Sequence, residues 1–98
     1  MRFLNLRDGR ISYELHGDDP AGALVVCVPG MGSVRSSFRF LAPELAARGY
    51  RVAVTDLRGH GDSDTAFDTY GDEATGADVL ALVEELGGGP ALLVGNSM

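Results

Sequence analysis

Residues 91–98 read Ala91-Leu92-Leu93-Val94-Gly95-Asn96-Ser97-Met98. The apolar run suits a short strand buried on both faces, and Gly-x-Ser-x follows it at once. A serine in that setting fits the strained strand-to-helix turn that lifts its side chain above a sheet. The tip of such a turn is driven toward φ > 0, which is costly for any residue but glycine. Small neighbours two residues either side let strand and helix approach. Gly95 supplies the first, and Gly or Ala is expected at position 99. A loop serine capping a helix N-terminus would carry the same letters, so the reading depends on what surrounds it.

Working back from this stretch, Gly87-Gly88-Gly89-Pro90 ends a helix expected over Asp72 to Leu86, with Val79, Leu82, Val83 and Leu86 on one face and Thr69 or Asp72 at its start. Leu57 to Thr69 is polar and Gly-rich and reads as loop. Arg51 to Asp56 reads as a strand. From Ser37 to Arg48, Phe38, Leu41 and Leu45 recur at helical spacing, and Arg48 with Gly49 makes a conventional helix end. Pro43 fits a first turn better than the middle of that helix. Leu24 to Val28 is a continuous β-rich run broken by Pro29-Gly30-Met31-Gly32-Ser33. Arg2–Leu6 and Ile11–His16 alternate around Asp8-Gly9, as a hairpin does. Two antiparallel strands followed by β-α-β-α-β imply an α/β chain, a mostly parallel sheet with helices on its faces, without repeat or linker.

Three loops carry the polar chemistry. Ser97 is the candidate nucleophile. The turn after the third strand, Val28-Pro29-Gly30-Met31-Gly32-Ser33, leaves backbone N–H groups facing the space above the sheet. An acyl-transfer site needs two such donors for its oxyanion, and the candidates are the N–H groups of Met31 and Met98. A tight turn without a ligand explains the glycines equally well. The third loop, Asp56-Leu57-Arg58-Gly59-His60-Gly61-Asp62-Ser63, reads as a segment braced by its own hydrogen bonds, with His60 a loop histidine and not a catalytic base.

The bulk numbers narrow the field. Ninety-eight residues make one domain at most, 45% apolar residues suit a globular chain, and eight arginines against fourteen acids leave a net charge of −6. An acidic chain without a basic stripe argues against nucleic acid or an anionic membrane as partner. Cys27 is alone in an apolar run and reads as a buried thiol. The first eight residues lack the apolar core of a signal peptide, and Ala23 to Pro29 is too short to span a bilayer, so the expected location is cytoplasmic. No metal or organic cofactor is expected, and oligomeric state is not legible.

The order Pro-Gly-x-Gly-Ser, Asp-x-Arg-Gly-x-Gly-x-Ser, Val-Gly-Asn-Ser-Met resembles the α/β-hydrolase superfamily over essentially the whole chain. Pro29 stands where that family usually has His. The resemblance implies residues 1–98 as the N-terminal part of one incomplete domain, five strands in the order 1-2-4-3-5, and a free edge on the fifth. It implies Ser97 as nucleophile, an acid and a histidine beyond residue 98, and an ester, amide, thioester or related small-molecule acyl substrate. Ser at 97 argues against the epoxide hydrolase and haloalkane dehalogenase branches. Gly-Asn-Ser-Met is also similar to carbon–carbon bond hydrolases and cofactor-free perhydrolases. The 98 residues alone are expected to be inactive and to aggregate or pack loosely. Two rivals stay open. One is a non-catalytic interaction module on the same scaffold. The other is a nucleotide-binding half-domain with Gly30-x-Gly32 at the phosphates and Asp56 at a ribose, although Arg35 stands where its third glycine belongs.

Overall fold

The computed structural model describes residues 2–7, 9–17, 21–30, 35–64, 72–87 and 90–95. Five strands, β1 (Arg2–Asn5), β2 (Arg10–His16), β3 (Leu24–Val28), β4 (Arg51–Thr55) and β5 (Ala91–Gly95), form one sheet in the order β1-β2-β4-β3-β5. That is the order expected, with β5 on an edge. β3 pairs in parallel with β4 and β5. The β1–β2 and β2–β4 pairings are antiparallel. The sheet is therefore mixed, and the expectation of a mostly parallel sheet holds only from β3 onward. The N-terminal hairpin adds its strands without a crossover helix, which only parallel neighbours require.

Right-handed crossovers place the helices. The connection from β3 to β4 steps one way along the sheet, and that from β4 to β5 steps back past β3. With one hand for both, the two helices must fall on opposite faces. They do. Helix α1 (Leu41–Ala47) brings Ala42, with Phe38 before it, onto Val25, Cys27, Val52 and Val54. Helix α2 (Asp72–Glu85) brings Val79 and Leu82 onto Leu24, Val26 and Ala53, with Ile11 and Tyr13 of β2. The strict alternation along β3 and β4 thus feeds two cores through one sheet. Each fully buried Leu or Val contributes about 1.5–3 kcal/mol.

The helix expected from Ser37 to Arg48 begins later. Arg35–Phe38 is a single 3-10 turn, and α1 starts at Leu41. This puts Pro43 in the first turn, where its missing N–H costs nothing and its fixed φ fits. The C-terminal end is as read: Gly49 adopts φ 96°, its N–H bonds Ala46 O (3.1 Å), and Tyr50 N–H reaches back to Leu45 O (3.3 Å). That pair of bonds is a Schellman cap. The strand expected to include Asp56 stops at Thr55. Helix α2 follows its expected course to within one residue. Its last turn is tied to the sheet by Arg51, whose Nη1 donates to Leu86 O (3.1 Å) and whose Nε donates to Gly22 O (3.0 Å). The turn residue Asp8 and the capping candidate Thr69 lie outside the described residues. No helix among the described residues is long and apolar enough to cross a membrane.

Cys27 is fully buried in the middle of β3, and burial pushes its thiol above the ordinary value of 9.0. A raised thiol pKa contributes stability that is complete below the unfolded-state value and is lost as pH rises through the folded-state value. The Tm is therefore expected to fall as pH rises above 9.0. Cys27→Ala should lose that component of the slope while staying flat relative to the parent at neutral pH. Identical pH slopes for the two proteins would refute this.

Candidate active site

Strands β3 and β5 lie side by side and end together: Val28 pairs with Gly95. Pro29, buried, and Gly30 continue from one, and residues 96–98 follow the other. β4 ends at the same edge, with Val54 opposite Cys27. The three loops singled out in the sequence therefore leave neighbouring parallel strands at one end of the sheet, where open α/β sheets bind their ligands. The candidate nucleophile Ser97 and the candidate oxyanion donors Met31 and Met98 themselves lie outside the described residues.

Residues 56–64 of the loop after β4 are described and are braced as read. Asp56 is buried, and its Oδ2 accepts from Ser12 Oγ (2.7 Å) and from Asp62 N–H (3.2 Å). Ser63 Oγ donates to Asp56 O (2.9 Å) and accepts from Ser12 N–H (2.8 Å). Thr55 Oγ1 donates to Ser12 O (3.0 Å). Gly61 crosses this cluster at φ 52°, where an added Cβ would overlap the Asp56 carboxylate. So Asp56 faces inward, onto the loop and β2, and is not presented to a ribose.

The two histidines lie at different ends of the sheet. His60 Nδ1 lies 3.1 Å from Arg58 O, within its own loop. His16 pairs with Val52 near the start of β4, at the far end of the parallel strands.

Two features were missed in the sequence. Arg58 reaches across to α2 and grips Asp78 with both prongs, Nε to Oδ2 at 2.8 Å and Nη2 to Oδ1 at 2.7 Å. Both side chains are only 7% exposed. The signal was available: Asp78 sits four residues before Leu82 on the apolar stripe of α2, and a buried acid calls for a cation. The second feature is a cavity of about 520 Å³ between α2 and β5, lined by Val28, Leu93 and Gly95 from the sheet and Gly76, Val79 and Leu80 from the helix. Leu80 and Leu93 are 64% and 56% exposed. Among the described residues no three His, Cys, Asp or Glu side chains gather as a metal site requires.

A mixed sheet in this strand order, with the Gly-rich and Gly-x-Ser segments starting from the ends of adjacent strands, defines an α/β protein whose candidate site is at the carboxyl edge of the sheet. Comparison with known proteins specifies it: residues 23–98 match the alpha/beta hydrolase fold family, and the chain belongs to that family. It is 38% identical over 93 residues to the magnesium-chelatase 30 kDa subunit of Rhodobacter capsulatus, covering 93% of this chain and 32% of that protein. It is 36% identical over 96 residues to the mouse (Mus musculus) sn-1-specific diacylglycerol lipase ABHD11, covering 96% and 31%. Among solved structures, a thioesterase domain from the curacin biosynthetic pathway superposes with a TM-score of 0.87 at 33% identity, covering 99% of this chain and 36% of that one. Epoxide hydrolases are among the matches as well. The chain thus spans about a third of the length of these relatives.

Proposed function

We propose that this chain carries the nucleophile half of a serine hydrolase that cleaves an ester, amide, thioester or related acyl bond. The observation that carries the proposal is the pairing of Val28 with Gly95. It starts the Gly-rich segment and the Gly-x-Ser segment from the ends of neighbouring strands, which supports a reading in which donors from both serve one oxygen. In this reading Ser97 Oγ attacks the acyl carbon, and a histidine from the part of the protein beyond Met98 accepts its proton. The N–H groups of Met31 and Met98 hold the oxyanion. Collapse of the oxyanion expels the alcohol, amine or thiol, which takes the proton from the histidine, and water then hydrolyses the acyl-serine, releasing the acid and regenerating Ser97. The relatives whose names specify a lipase and a thioesterase support a carbonyl substrate. Ser97 in place of Asp separates the chain from alkyl-enzyme chemistry such as epoxide opening.

A second reading has a specific observation behind it. One relative is named as a subunit of magnesium chelatase, which favours a scaffold serving an assembly and not a turnover site.

One experiment separates the two. The protein with its gene's own continuation past residue 98 is treated with a fluorophosphonate probe and assayed on a p-nitrophenyl acyl ester. Labelling at Ser97, a burst of nitrophenol, and a loss of kcat on the order of 10⁴ or more in Ser97→Ala are the expected results. Residues 1–98 alone are expected to show no burst. No labelling and no change on Ser97→Ala would give the second reading.

A further inference from the structure

We draw no further inference here: the strongest candidate, the exposed apolar patch formed by Phe40 and Leu41 where α1 begins, carries none, because nothing in the structure shows what covers it.

Discussion

Asp78→Ala is expected to lower the stability of the folded chain by about 3–5 kcal/mol, a large share of what a domain of this size possesses. The Arg58–Asp78 pair is bidentate, with contacts of 2.8 and 2.7 Å, and each side chain is 7% exposed. Deleting the carboxylate leaves a guanidinium charge in a low-dielectric setting, with two of its N–H groups deprived of their acceptor. The cost therefore comes from the charge left behind more than from the attraction lost. That distinction is measurable. Replacing both partners by apolar residues, Arg58→Met with Asp78→Leu, should recover most of the loss. Glu44→Ala is the contrast. It removes a pair of comparable length, Arg48 to Glu44 at 3.1 Å, whose side chains are 70% and 62% exposed. Its expected effect is within about 0.5 kcal/mol. Urea midpoints of the four proteins at constant m-value decide the matter. Equal shifts for Asp78→Ala and Glu44→Ala would show that burial does not govern the pair.

Gly61→Ala is the second large effect expected, a loss of about 2–4 kcal/mol. Part of it is backbone strain, since Gly61 sits at φ 52°. The rest is displacement, because the new methyl meets the Asp56 carboxylate, which holds Ser12 Oγ and Asp62 N–H. The two contributions separate in a double-mutant cycle. With Asp56 already replaced by Ala, Gly61→Ala should cost at least about 1 kcal/mol less than in the parent, the signature of sites in contact. Strict additivity would assign the whole effect to φ.

The fold was legible because its signals are local and redundant. β3 reads as a strand buried on both faces and is one. The apolar spacing of α2 gives its course and its inward face. Even the awkward Pro43 pointed the right way, since its demand for a first turn is met by starting α1 at Leu41. What stayed hidden depends on partners distant in the chain. Arg58 and Asp78 are separated by most of a loop and half a helix, so Asp78 on the apolar stripe of α2 calls for a cation without saying which one. Ser12 reads as one polar position in an alternating strand, yet it anchors the Asp56 and Ser63 side chains across the sheet. The β2–β4 neighbourhood was in the expected order, and the sheet is less parallel than expected because β2 runs antiparallel to both of its neighbours, β1 and β4. The role proposed for Ser97 rests on motif order, and Ser97 itself lies outside the described residues.

That pairing of β2 with β4 also imposes a timetable on synthesis. The N-terminal hairpin leaves the ribosome first, with one side of β2 open. The next strand to emerge, β3, is entirely apolar and is not its partner. β4 appears only after β3 and α1 are complete, which at roughly 5–20 residues per second is a wait of a few seconds. Hairpins form in microseconds, so β2 and β3 have ample time to meet in the wrong register before their true separator arrives. β4 must then insert between two strands already made. For a nascent chain of this topology, the hazardous interval lasts until residues 51–55 emerge from the ribosome, and a chaperone that shields β3 until then would raise the yield of folded protein.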